Sequence, residues 1–396
     1  MEPWIKYCAA GLTPTNTKVS INQKLDRMPI YMDRHDVSES VTAENVAQLH
    51  QQDLKIQHKF GCRGLTYWFD EKRKTAFCLI EAPDEKAILE MHNQAHGEVP
   101  HRVIEVEASI VESFLGRIED PEKSQKKSLN IINDPAFRTI MVVGIKPFSI
   151  KETLDKKVNS IIIEYNKTLG DTIGLYKGSI VKQNPDHLLV SFDSVTNAVV
   201  CSVGILAEFE KNIGGTYSSL IKLQIGLDAG VPVNEKDGFF EKSIKTARSY
   251  FELVNGTLVV SSEVKELYES ENLNLPIEPR TTIVLNSSEE KFLRDLVDFT
   301  EREWCNSSFN IDDFGQYLGC SKSKLYRKIV ALTGKSPNSF LKEYRLCKAL
   351  KLLGKNNMNI SEVAFETGFN SPAYFSKCFQ ETFGILPSHY MKSALS

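Results

Sequence analysis

The sequence predicts a multidomain chain: two α+β segments in succession, followed by an all-helical segment. Three observations lead there. Short apolar runs with strand-like alternation recur as far as Ser261, interleaved with helical spacing. Beyond residue 290 the alternation stops and only helical spacing remains. Within that last segment, two stretches repeat each other at a nearly constant offset.

A length of 396 residues allows two to four domains at roughly 100–200 residues each. The 41% hydrophobic and 25% charged content is that of a soluble globular chain. No apolar run approaches the ~18 residues of a membrane span, and the start lacks a basic-then-apolar export signal. Eight scattered cysteines without a C-x-x-C pair suit reduced thiols, so a cytoplasmic location is expected.

Residues 1–27 show no clear periodicity and are expected to be a tail, with Met28 as an alternative start. MPIYMDR (28–34) is strand-like. A helix from Thr42 to His58 follows, with Thr42 as its N-cap. CRGLTYWFD and KTAFCLIE form a hairpin around Glu71-Lys72-Arg73. Asp84 caps a helix ending at Gly97, and HRVIEVE closes the unit. This β-α-β-β-α-β order is that of a ferredoxin-like domain, expected over residues 28–108. The polar stretch 109–135, with EDPEKSQKKS, reads as a linker with some helical content.

The second α+β segment, 136–270, repeats the scheme. RTIMVVGI is a strand, 150–169 a helix, IGLYKGSIVKQ and HLLVSF strands, and 195–212 a helix. SLIKLQIGLDAG is a strand, 241–253 a helix and TLVVS a short strand. A connector over 271–289 leads to the helical segment, 290–396.

In that segment Ile360…Gly368…Ser371…Phe375…Phe379…Gly384…Pro387…Tyr390 echoes Ile311…Gly319…Ser321…Leu325…Ile329…Gly334…Pro337…Phe340. Each copy is a short helix, a Gly-containing turn and a Ser-capped longer helix, a helix-turn-helix twice over. The helix starting at Pro337 and running to Leu353 carries Phe340, Leu341, Tyr344, Ala349, Leu352 and Leu353, which can face both copies. Its length of ~25 Å can hold two reading helices apart. Successive major grooves on one DNA face lie ~34 Å apart.

Charge agrees with such a role. Phe309 to Ser396 holds 12 Lys and Arg against 6 Asp and Glu, whereas the rest of the chain is acidic. A basic module on an acidic body points to a polyanion partner. Arg327 can read guanine bidentately, and Lys322, Lys324 and Lys377 suit phosphates. The second longer helix is poor in long polar readers, so shape and thymine methyls are its expected targets. Phe375, Phe379 and Phe383 are expected in its core.

GCSKSKLYRKIVALTGKSPNSFLKEYRL and ISEVAFETGFNSPAYFSKCFQETFGILPSHY resemble the AraC/XylS family of transcription regulators, over residues 290–393. The second run carries the family signature at Ala364, Gly368, Phe369, Ser371, Tyr374, Phe375, Phe379, Gly384, Pro387 and Tyr390. The resemblance implies double-stranded DNA as a partner. It implies that Ser323, Tyr326 and Arg327 face bases from the first helix, and Ala373, Tyr374 and Lys377 from the second. Ser371 and Ser376 complete the expected DNA-binding set.

The middle runs RTIMVVGI, VKQNPDHLLVSFDSVTNAV, LQIGLDAG and GTLVVSSEV resemble the class III nucleotidyl cyclase domain. Members of that family hold two metal ions with two Asp residues. Here the first Asp position is Gly144, and the hairpin Asn184-Pro185-Asp186-His187 keeps Asp186 but loses both glycines. Arg248 stands at the family's transition-state Arg position, while the partnering Asn position holds Ile244. The resemblance with these departures implies a domain without cyclase activity, used for dimerisation or sensing. A homodimer is therefore expected. The alternative is a nucleotide cyclase or nucleotide-binding enzyme with a DNA-binding tail.

Six of the eight histidines fall between residues 35 and 101. His92 and His96 are i, i+4 on one helix face, a metal-clamping spacing, and His50 and Asp53 are i, i+3 on the other helix. With His35 they form the expected metal set. Imidazoles with a carboxylate suit Ni, Zn or Cu. Cys78, between Phe77 and Leu79, is expected in the core. YMDRHDV, VAQLHQQDL, GCRGLTYWFDEKRKTAFCLIEAPDEKAI and HNQAHG resemble a family of small ferredoxin-like nickel-binding proteins, which implies a divalent metal, Ni or Zn. An unknown small molecule or metal is the expected effector.

Overall fold

The computed structural model describes residues 28–121, 129–132, 134–147, 156–184, 186–214, 221–277, 282–355 and 357–395. The expected tail, 1–27, lies outside them, as do Pro185 and the start of the helix expected at 150.

The first unit runs β1 (Ile30–Asp36), α1 (Ala43–Ile56), β2 (Arg63–Asp70), β3 (Thr75–Glu81), α2 (Glu85–Ala95) and β4 (Arg102–Val106). Its sheet order is β2-β3-β1-β4, all antiparallel. Thr42 and Asn45 form a capping box on α1, and the Asp84 carboxylate accepts the Ala87 amide at the start of α2. The strands β2 and β3 are buried on both faces. Tyr67, Phe69, Ala76, Cys78 and Ile80 pack under Val46, Ala47, Ile88 and Met91 of the helices. Met32, Trp68, Phe77 and Leu79 point the other way, into a core shared with the second unit.

Part of that shared core comes from the expected linker. Ala108–Leu115 is a helix, α3, with Val111, Phe114 and Leu115 buried between the two sheets. Its apolar residues have helical spacing, but polar neighbours hide the pattern in composition. Further along, Tyr67 Oη donates to the Asn130 carbonyl at 2.8 Å and accepts from the Ile132 amide at 2.9 Å. The segment folds back on the first unit.

The second unit comprises β5 (Arg138–Pro147), α4 (Lys156–Leu175), β6 (Ser179–Gln183), β7 (Leu188–Phe192), α5 (Val195–Phe209), β8 (Ile221–Gly230), α6 (Glu241–Leu253), β9 (Leu258–Val260), α7 (Ser262–Glu271) and β10 (Thr282–Val284). The sheet order is β10-β9-β8-β5-β7-β6. The inner order β8-β5-β7-β6 repeats that of the first sheet, and β9 and β10 extend it in parallel. Two expectations shift. Residues 173–175 end α4 rather than opening a strand, because the chain reverses at Lys177 with a positive φ of 59°. The expected connector contains β10, whose pairing with β9 supplies the backbone partners that three residues alone do not reveal.

The all-helical segment comprises α8 (Ser287–Glu303), α9 (Ile311–Tyr317), α10 (Lys322–Thr333), α11 (Pro337–Lys355), α12 (Ile360–Glu366), α13 (Pro372–Phe383) and α14 (Pro387–Leu395). It has two cores. Phe292, Leu296, Phe314, Leu325, Ile329, Phe340 and Leu341 form the first, together with Tyr250 and Val254 from the second unit. Leu346, Ala349, Leu353, Val363, Phe375, Phe379, Phe383 and Tyr390 form the second by themselves. Helix α11 contributes to both.

Candidate nucleic-acid interface and metal-binding cluster

Each longer helix of the repeat is set by the same local chemistry. Ser321 accepts the Lys324 amide and Ser371 the Tyr374 amide, fixing both N-termini. Gly319 (φ 60°) and Gly368 (φ 76°) turn the chain ahead of them, a left-handed conformation that a Cβ disfavours. Leu325 and Ile329 anchor α10 inward, leaving Lys322, Ser323, Lys324, Tyr326 and Arg327 exposed. Lys322, Ser323, Tyr326 and Arg327 line one shallow hollow of ≈ 400 Å³. Lys322 Nζ also meets Asp312 at 2.9 Å on the surface.

On α13 the buried residues are Phe375, Cys378, Phe379 and Phe383. Ala373, Tyr374 and Lys377 are exposed, while Ser371 and Ser376 are half-buried, Ser371 being occupied as the cap. Lys377 approaches Glu381 at 4.0 Å. Both helices thus present small, aromatic and basic side chains outward from a packed aliphatic or aromatic back.

The metal candidates converge from β1, α1 and α2, and Cys78 of β3 joins them. His92 of α2 lies between two carboxylates: Nε2 is 2.9 Å from Asp33 Oδ2 on β1, and Nδ1 is 3.2 Å from Asp53 Oδ1 on α1. His96 Nε2 is 3.2 Å from Asp53 Oδ1, and His35 Nε2 is 3.4 Å from Asp33 Oδ1. Two triads result, Asp53 with His92 and His96, and Asp33 with His35 and Cys78, the ligand atoms of each lying within 4.8 Å of one another. Burial opposes charge at His92, but hydrogen bonds and the charges of Asp33 and Asp53 outweigh it and raise its pKa to about 10. The histidines in turn overcome burial at both carboxyls and hold them below the usual range.

Asp33 and Cys78 were missed as ligands. Asp33 and His35 alternate on one strand face, which is the signal that could have found Asp33. Cys78 sits inside an apolar run. His50 does not join the triads; its Nε2 turns to Asp120 Oδ2, 3.5 Å away, from the segment after α3. The donor set fits a divalent cation, because His35 Nε2 and Asp53 Oδ1 are buried without a well-aligned hydrogen bond while ligand-type atoms surround them.

The three cyclase-type positions tell a different story. Gly144 on β5 lies under the β6–β7 turn: a Cβ there would meet the Asp186 carbonyl oxygen at 2.0 Å and His187 Cα at 2.9 Å. No carboxylate side chain fits. Asp186 is buried and held by His187 Nδ1 at 2.8 Å. Arg248 is half-buried on α6. In addition, Lys146 is half-buried, donates to the Phe251 carbonyl at 2.8 Å and lies 4.0 Å from the Phe251 ring. It caps the C-terminal end of α6. Among the described residues no helix is long and apolar enough to cross a membrane.

Comparison with known proteins finds family matches to two segments of the chain. Residues 314–393 match the family described as "Helix-turn-helix domain", and residues 31–106 match "Nickel responsive protein SCO4226-like". The chain is 42% identical over 108 residues to "Histidine kinase P4" of Formosa agariphila, covering 27% of this chain and 8% of that protein. It is 31% identical over 144 residues to "HTH-type transcriptional activator RhaR" of Salmonella dublin, covering 36% and 46%. It therefore spans less than half the length of both. The solved structure of SCO4226 from Streptomyces coelicolor A3(2) is 28% identical, covers 19% of this chain and 94% of that one, and superposes with a TM-score of 0.19. The C-terminal segment of this chain is an AraC-type helix-turn-helix domain, and residues 31–106 form a domain similar to the SCO4226-like family.

Proposed function

We propose that the chain is a one-component transcription regulator that binds double-stranded DNA through α10 and α13 and senses its signal through the two α+β units. The carrying observation is the repeat itself: two Ser-capped helices, α10 exposing Lys322, Lys324 and Arg327 and α13 exposing Lys377, on two cores joined by α11. At ~1.5 Å per residue α11 spans about 28 Å, which supports contact with adjacent major grooves. In this reading Arg327 reads a base, Lys322, Lys324 and Lys377 meet phosphates, and Ser323, Tyr326, Ala373 and Tyr374 fit base edges.

The first unit supplies the sensor. Asp53, His92 and His96 would hold a divalent ion, nickel or zinc, with Asp33, His35 and Cys78 as an adjoining set. A bound ion supplies a fixed positive charge among carboxylates that protonated His92 otherwise neutralises. The middle unit is read as a cyclase-like scaffold without catalysis, because Gly144 leaves no place for the first carboxylate. It serves to pair two copies of the chain in the cytoplasm. Selection of genomic fragments by the full chain, with and without added Ni²⁺, tests the reading. Enrichment of one recurring site supports it, and uniform recovery of all fragments overturns it.

A further inference from the structure

The two DNA-binding units are not equally free. The second has its own core, whereas the first shares its core with α6. On one side of α6, Ala247 and Phe251 belong to the core that also holds Trp68 and Phe77 of the first unit; on another, Tyr250 and Val254 belong to the core that holds Leu293, Leu296 and Leu332. A backbone bond reinforces this seam. Asn255 N donates to the Leu332 carbonyl across it at 2.8 Å.

At the edge of the seam, one α8 carboxylate reaches across. Glu290 Oε1 accepts the Ser262 amide at 2.6 Å and the Ser262 hydroxyl at 3.0 Å, both at the N-terminus of α7. Asp228 of β8 is buried one residue along from Leu227, whose carbonyl accepts the amide of Ser261, the α7 cap, at 3.1 Å. We propose that Glu290 is a latch fastening the DNA-binding segment to the α+β body, and that loss of a proton from the buried Asp228 carboxyl releases it.

The surroundings of Asp228 give the direction. Glu263 of α7 and Glu290 of α8 face it, both acidic, with the Ser261 hydroxyl and the Ala229 amide as hydrogen-bond partners. Tyr250 of α6 is near Asp228, Glu290 and Arg294, and its buried hydroxyl has no hydrogen-bond partner among the described residues. Arg73 and Lys242 act on Glu263 from the first unit and α6. Burial, with the two glutamates, pushes the Asp228 carboxyl up to about 7, against its hydrogen bonds. Below neutrality Asp228 is neutral and Glu290 keeps its seat. Above it a further negative charge stands beside Glu290 in a poorly solvated site, and repulsion opposes the latch.

Amide hydrogen exchange of the full chain, corrected for intrinsic rates, reads the latch directly and does not depend on the DNA reading. Protection at Ser262 and the first turn of α8 should fall by about tenfold or more between about pH 6 and about pH 8, the usual worth of a hydrogen bond to a charged acceptor. Asp228→Asn should hold its protection across that range, and Glu290→Ala should lack it at both ends. Glu290→Gln, which keeps the acceptor oxygen at a half-buried position, should show a smaller pH effect and serves if Asp228→Asn does not fold. A wild-type profile flat with pH, or an equal loss in Asp228→Asn or Glu290→Gln, overturns the proposal.

Discussion

His92 and Asp33 are joined Nε2 to Oδ2 at 2.9 Å, with both side chains almost wholly buried. The pair links α2 to β1 across the core of the first unit, and its strength depends on His92 carrying a proton. His92 has its pKa raised from 6.5 to about 10 by Asp33 and Asp53, against burial. The stabilisation is therefore complete below the unfolded value and is lost as pH rises through the folded one. Metal-free chain should lose at most a few kcal/mol between about pH 6.5 and about pH 10 from this group. His92→Gln should flatten that dependence in denaturant titrations. An equally steep loss in the variant would show that another group is responsible.

Removing both ring donors of α2 tests the metal reading separately. His92→Ala with His96→Ala should abolish divalent binding by the full chain, measured as Ni²⁺ retained after equilibrium dialysis. His50→Ala should retain it, because His50 turns to Asp120 instead. Equal metal in the double variant removes the ligand assignment.

Gly144→Asp restores in name the carboxylate that a two-metal cyclase site needs. Its Cβ would stand 2.0 Å from a backbone oxygen, which neither partner can rotate away. The variant should be destabilised by about 1–3 kcal/mol or more, the cost of overpacking, and should form no cyclic nucleotide with Mg²⁺ or Mn²⁺. Cyclic product from either protein would reopen the enzymatic reading.

Phe375 is completely buried in the second helical core, which includes no residue of the two α+β units. Phe375→Ala should cost ~3–5 kcal/mol, and the loss should fall on that unit. Amide exchange should speed up in α12–α14 while α8–α10 stay protected. A uniform loss across both helical units would mean that they fold as one.

How much of this was legible follows from where each signal sits in the chain. The recognition helices announce themselves, because Ser321 and Ser371 cap them, glycines precede them and the repeat offsets them in parallel. His92 and His96 share a helix face and were visible for the same local reason. Cys78 reaches the same cluster only through β1–β3 pairing, which places Met32 opposite Leu79 and brings the Cys78 amide to Asp33 Oδ1 at 2.8 Å. Asp120 comes from a segment whose composition reads as linker. The docking of α6 against the first DNA-binding unit has no local signature, since Tyr250 and Val254 look like ordinary core residues of their own unit.

Arg327→Ala on the exposed face of α10 should weaken binding to a selected site by ~1–3 kcal/mol and relax specificity at one base pair. Lys322→Ala should weaken binding to all sequences and lower the salt dependence. The most direct measurement of the central claim is quantitative binding of the full chain to a site recovered from genomic DNA, beside scrambled DNA of equal length. Two half-sites about one helical turn apart are expected, with Arg327→Ala losing discrimination at only one of them. Equal affinity for the recovered and scrambled sequences, unchanged by Arg327→Ala, would contradict it.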